Sequence, residues 1–194
     1  MCTKWAEMHD RPLRACARKE KKMRMFRTAC GGTIVVPAKA EDHLRAHPEV
    51  EGVLAEAVAK VRLPQNGAFL SAEIEMGRVV GKSGCVSTSL ITPWTTALFA
   101  QRIGRERASR VVIGEGEETT KVAVLAFVSR GEVGTYVLVT SWVGSLAPKE
   151  PWDPKIEGRK EFQSCVSFWC SHALVYDSSV MGEPFESSWE KILK

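Results

Sequence analysis

The sequence predicts an α+β domain in which N-terminal helices pack on a curled antiparallel sheet, a meander, with a C-terminal helix. Three observations predict it. Lys121–Ser129 and Thr135–Val143 are β-rich runs without proline, separated by Arg130-Gly131-Glu132-Val133-Gly134, a link of hairpin length. Pro48–Arg62 carries Val50, Val53, Leu54, Ala57, Val58 and Val61 at the spacing of a buried helical stripe. Helical patterning comes early and strand patterning follows, without the regular alternation of a doubly wound sheet.

The elements follow in order. Residues 1–32 read as a basic arm closed by the hinge Gly31-Gly32. Thr33–Val36 is a short β-prone run stopped by Pro37. Ala38–Ala46 and Pro48–Arg62 are helices, with Pro48 in the first helical position and His47 at the cap. Pro64-Gln65-Asn66-Gly67 then turns the chain into two strand candidates, Ala68–Met76 and Arg78–Thr88. Thr92-Pro93 opens a helix expected to reach Ile103, and Ser109–Ile113 is a strand that the polar turn Gly114–Glu118 joins to the central hairpin. Both hairpin strands read as central, packed on at least one face. Pro148, Pro151 and Pro154 forbid regular structure after it. Phe162, Cys165, Val166, Trp169 and Ala173 mark an amphipathic helix, with Ala173–Tyr176 an alternative short strand. The body is thus 33–176, followed by a weakly patterned tail, 177–194, with one or two helical turns at Ser188–Leu193.

Charge is distributed unevenly. The chain of 194 residues carries a net charge of +4, yet residues 1–32 hold nine Lys/Arg against three Asp/Glu. Such an arm can grip nucleic acid through its phosphates; the competing reading is a solubilising extension. No apolar run approaches the ~18 residues of a membrane span, and the first residues lack an apolar signal core, so a cytoplasmic protein without a membrane partner is expected. The six cysteines form no C-x-x-C pair and read as thiols, so neither a metal nor a cofactor is expected.

Several constellations suggest chemistry. Gly77–Ser83 has the flavour of a phosphate-binding loop, but three residues instead of four separate its glycines and a strand pattern follows, so a hairpin turn explains it better. His43 and His47 share a helical face, but Leu44 stands where a zinc protease has its Glu. His47 alone is more informative. At a helix N-terminus its neutral ring is favoured, as a general base requires, although simple capping would use the same position. Arg102, Arg105, Arg107 and Arg110 gather before the hairpin. Lys121 and Thr140-Ser141 are expected toward one end of it, a cation and hydroxyls suited to a phosphate. His172 follows Phe168-Trp169, a setting for a structural imidazole as well as a catalytic one. Trp142 and Trp152 could stack on bases or pack a core.

His43-Leu44-Arg45-Ala46-His47-Pro48-Glu49, an apolar helix and strands ending in Thr140-Ser141-Trp142 resemble the barnase–EndoU–colicin–RelE-like ribonucleases, in particular members carried by phages and mobile elements. The resemblance spans Thr33–Tyr176 and rests on short motifs and element order. It implies a metal-independent, toxin-type endoribonuclease with RNA as substrate and an antitoxin or other protein as partner. By position, His47 matches the N-terminal histidine and Thr140 or Ser141 the strand hydroxyl, while Arg110 and Lys121 match only as basic residues of the sheet.

Together these readings give an expected mechanism. Neutral His47 would deprotonate a ribose 2′-OH, which attacks the adjacent phosphate, and Arg110 and Lys121 would stabilise the developing charge. Thr140 or Ser141 would position the phosphate, and His172 would protonate the leaving oxygen. The alternative is a non-catalytic nucleic-acid or protein binding module built on the same arm and sheet.

Overall fold

The computed structural model describes residues 23–45, 47–62, 68–129, 133–156 and 159–194, with the side chains of His43 and Arg159 outside that description. In chain order the first elements are β1 (Arg24–Arg27), β2 (Thr33–Val36), α1 (Ala38–Arg45), α2 (Pro48–Lys60) and β3 (Phe69–Glu75). Then come β4 (Gly81–Ser83), β5 (Cys85–Ser87), β6 (Ala97–Gln101), β7 (Ala108–Val112) and β8 (Glu117–Thr119). The chain finishes with β9 (Lys121–Val128), β10 (Thr135–Val143), α3 (Arg159–Ser171), β11 (His172–Val175), β12 (Phe185–Ser187) and α4 (Trp189–Leu193).

The fold is α+β, with helices toward both ends of the chain, but the strands do not form one meander. They divide into a five-stranded sheet of order β1-β2-β10-β9-β3, a second of order β12-β6-β7-β11-β5, and the ribbon β4-β8. The predicted hairpin is present: β9 and β10 pair antiparallel, with Tyr136 opposite Val128 and Val143 opposite Val122. Around it the connections are long-range. β2 lies parallel to β10, and β3 pairs antiparallel with β9 rather than with the strand that follows it in sequence.

One face of the first sheet is closed by α1 and α2. Val50, Leu54, Ala57 and Val58 of α2 are buried against Ile34, Leu70, Ile74, Val122, Val124 and Leu138. Each fully buried Val or Leu contributes roughly 1.5–3 kcal/mol, which makes this layer the larger apolar core. Pro48 starts α2 as expected, and Lys60 in its last turn donates to the carbonyls of Glu75 and Met76. Arg24 fastens β1 to both helices through Glu41 at 2.6 Å and Glu51 at 2.9 Å. β1 thus lies within what the sequence suggested was only an arm. Residues 1–22 of that arm fall outside the described residues.

The second sheet is built differently. β7 and β11 run parallel, and the other pairs are antiparallel. Its small core joins Phe99, Ala108, Trp169, Cys170 and Trp189. Trp189 is fully buried edge-on to Phe99, with ring centroids 5.1 Å apart, so the C-terminal residues expected as a tail are part of this core. Ser188 caps α4 by accepting from the Lys191 amide.

Two further expectations are corrected here. The helix from Thr92 to Ile103 is a tight turn followed by β6. Thr92 and Thr95 hydroxyls bond each other at 2.8 Å and close the turn, while β7 and β12 flank the Ala-Leu-Phe-Ala run and override its helix propensity. The single strand Arg78–Thr88 is divided at Gly84, so that β4 joins the ribbon and β5 the second sheet. The ribbon seats tightly beside the end of β10. A Cβ on Gly144, whose φ is +130°, would lie 2.7 Å from Ser83 Oγ.

Candidate functional site

The six side chains expected to act together lie in four places. Arg110 and His172 are brought close, at the C-terminal end of α3. Arg110 is only 6% exposed; its Nη1 donates to the carbonyls of Cys170 (2.8 Å), Trp169 (3.3 Å) and His172 (3.4 Å), and its Nη2 to that of Ser89 (3.4 Å). A cation there satisfies the helix's last carbonyls and opposes its dipole. The His172 ring stacks flat on Phe168 at 3.9 Å. Its Nδ1 lies 3.0 Å from the Phe168 carbonyl and 2.9 Å from Ser171 Oγ, and its Nε2 is 3.5 Å from Ser87 Oγ. Both residues hold the second sheet to its helix.

Ser141 is fully buried on the helix side of the first sheet, where its Oγ donates to the Ala123 carbonyl at 2.7 Å. His47 is the N-terminal cap residue of α2, but its side chain makes no capping bond; its Nδ1 lies 3.2 Å from Glu49 Oε1. Asp177 of the second half lies close enough to feel an imidazolium there, although Ser179 is the main cause of its lowered pKa. Lys121 and Thr140 occupy the other face of the first sheet. Lys121 Nζ pairs with Glu73 Oε1 at 2.6 Å, which lowers the Glu73 carboxyl and raises the lysine. Thr140 stands opposite Leu125, directly after an irregularity between Leu138 and Thr140 that makes Val139 an extra residue.

That other face is the least expected surface of the molecule. Register places Met25 beside Val35, Val35 beside Val137, Val137 beside Phe127, and Phe127 beside Phe69. One apolar row therefore crosses all five strands, ~19 Å at ~4.8 Å per strand. No helix covers it among the described residues: Met25 is 67% exposed, Phe69 52% and Phe127 45%. A second row runs alongside it on the same face. Arg27 is opposite Thr33, Thr33 opposite Thr135, and the Ser129 amide donates to the Thr135 carbonyl. Arg27 Nη1 donates to Thr33 Oγ1 at 3.1 Å, and no carboxylate pairs with it among the described residues. The Lys121–Glu73 pair lies at the far end of β9, six residues or ~20 Å from Phe127.

The sequence carried one signal for this face. A strand with a single packed face alternates apolar and polar residues, whereas Val122–Val128 is apolar at every position. Both faces of β9 are therefore apolar, and only one is covered by the helices.

The phosphate-loop, metal and thiol readings find no support among the described residues. Gly81–Ser83 is a strand of the ribbon and no helix follows it, so it forms no phosphate loop. Among the described residues no group of three or more His, Cys, Asp or Glu could hold a metal. Burial pushes the Cys85 thiol up to about 11 and raises those of Cys165 and Cys170, which keeps all three protonated. A depression of about 280 Å³ between the 90–93 loop and α3 is lined mainly by Leu90, Ile91, Pro93, Phe162 and Val166, without a charged group. Trp142 packs against the first core, and Trp152 donates to Ala108 and Glu150. No helix of the described residues is long and apolar enough to cross a membrane. In comparisons with family models, curated proteins and solved structures, nothing matches this chain.

Proposed function

We propose that the chain is a non-catalytic module that binds single-stranded nucleic acid, RNA in the first place, on the uncovered face of its first sheet. The observation that carries this reading is the Phe69–Phe127 pair: two aromatic rings exposed on neighbouring strands, with Arg27, which no carboxylate pairs among the described residues, on the same face at the opposite edge of the sheet. Exposed aromatics on a sheet stack on unpaired bases, at ~1–3 kcal/mol per base. Duplex nucleic acid hides those base faces and is excluded. Phosphates that follow the bases across the sheet toward β1 meet Arg27, and the sequence before β1 adds further basic residues, among them Arg18, Lys19, Lys21 and Lys22. At the opposite end of the face Glu73 and Glu75 outnumber Lys121, which pairs with Glu73, and the net negative balance disfavours the backbone there and leaves the hairpin end as the contact region.

The endoribonuclease reading has no observation favouring it, because Arg110 and Ser141 are buried and bonded to backbone carbonyls, and His47 and Lys121 lie on opposite sides of the first sheet. One experiment addresses both readings. Fluorescence anisotropy with a short single-stranded RNA, in EDTA and low salt, should show binding that weakens steeply with added salt. Phe127→Ala and Phe69→Ala should each weaken it about ten-fold. Unchanged affinity in both variants would remove the face from the function, and RNA products in EDTA that vanish with His47→Ala would restore the nuclease.

A further inference from the structure

We infer that the face distinguishes RNA from DNA, and that the Thr33–Thr135–Ser129 row, ending at Arg27, makes the distinction. The inference rests on the reading of this face as a platform for unpaired bases. The row is the next one along the strands from the aromatic row and on the same side, because Thr33 and Val35, Thr135 and Val137, and Phe127 and Ser129 are each two residues apart. Two residues along a strand is ~6.7 Å. A base stacked on Phe127 therefore carries its ribose over Ser129, and the nucleotides that follow across Val137 and Val35 carry theirs over Thr135 and Thr33, toward the edge ~14 Å away where Arg27 stands.

The chemistry of the row fits a 2′-hydroxyl. A threonine or serine hydroxyl donates one hydrogen bond and accepts others, and a 2′-OH does the same. Arg27 Nη1 already donates to Thr33 Oγ1 at 3.1 Å, which occupies that oxygen as an acceptor and turns its hydrogen outward as a donor. Among the described residues nothing else takes the remaining guanidinium hydrogens, which suit a phosphate oxygen. Thr33, Thr135 and Ser129 are each half-buried, so their hydroxyls stay reachable from solvent, and Thr33 is held in place by Arg27. Deoxyribose would leave these hydroxyls facing a carbon, and a site built to bond a hydroxyl discriminates against the analogue that lacks it. Because water can still reach them, the preference should be about ten-fold rather than the far larger factor of a sealed pocket.

The test uses RNA and DNA oligomers of one sequence with the full-length chain. RNA should bind about ten-fold more tightly than DNA. Thr33→Val and Thr135→Val keep the branched shape that suits a strand, and melting curves check that they fold. They should lower RNA affinity by more than DNA affinity, so that the two oligomers bind equally. Phe127→Ala should weaken both oligomers by the same factor. Equal affinity of the unaltered chain for the two oligomers, or a preference that survives both valine variants, would overturn the inference while Phe127-dependent binding kept the platform standing. Binding of neither oligomer would remove the platform, and the inference with it.

Discussion

The two sheets solve the same packing problem by different means. The first closes one face with α1 and α2 through an apolar layer and leaves the other face open. The second has a smaller apolar cluster and depends on buried polar anchors. Arg110 donates to four carbonyls, and Glu150, 6% exposed, accepts from Arg102 at 2.5 Å, Ser109 at 2.9 Å and Trp152 at 3.1 Å. The difference separates charge that holds a structure from charge that can meet a ligand. The second sheet spends its cation and its imidazole on its own backbone, whereas the open face of the first holds a guanidinium that no carboxylate pairs among the described residues.

The comparison can be broken most easily at Trp189. Trp189→Ala should cost about 4 kcal/mol in urea unfolding, as expected for a large aromatic removed from a packed core. A loss below 1 kcal/mol would show that the C-terminal segment does not belong to the second core. Arg110→Ala should cost about 3 kcal/mol, because it strands the carbonyls at the end of α3, and Arg110→Lys should recover only part of that. Titrating stability with pH sharpens the contrast. Burial raises the Glu150 carboxyl, so its contribution is present below the ordinary carboxylate range and is lost as pH rises through the raised folded value. Lys121 lowers Glu73, so its contribution is present above that range and is lost as pH falls through the lowered value. Urea midpoints across acidic pH should lose the first slope in Glu150→Gln and the second in Glu73→Gln. The smallest effect belongs to the open face: Phe127→Ser should change stability by less than about 1 kcal/mol, since only a cross-strand pair is lost.

What could be read from the sequence follows the range of the interactions involved. The hairpin, α1, α2, β3 and β7 announce themselves through local periodicity, and each lies within a residue or two of its expected place, while α3 starts three residues before Phe162 and Ala173, expected on it, lies in β11. β6 was misread because Ala97, Leu98 and Ala100 are good helix formers, and only partners on both sides make them a strand. β1 was hidden because Arg24 and Arg27 add to the charge of the basic arm, although they point to opposite faces. The parallel pairing of β2 with β10 joins residues about a hundred positions apart, which no local pattern encodes. The candidate site was less legible still. A buried arginine and an exposed one look alike in sequence; the carbonyls that occupy Arg110, and the Glu73 that occupies Lys121, are supplied by distant segments. Of the residues named from sequence, Thr140 and Lys121 lie on the open face, where the bulge at Val139 and the register bring Thr140 within one row of Phe127.

The way the strands alternate between the sheets has a practical consequence. The polypeptide leaves the first sheet after β3, returns at β9, and leaves again after β10 to supply β11 and β12. No single cut yields two self-sufficient fragments. A piece ending at Gly144 would take β5, β6 and β7 with it but forfeit the strand that sits between β5 and β7. During synthesis, that middle strand leaves the ribosome long after the two it joins, so the second sheet is assembled last.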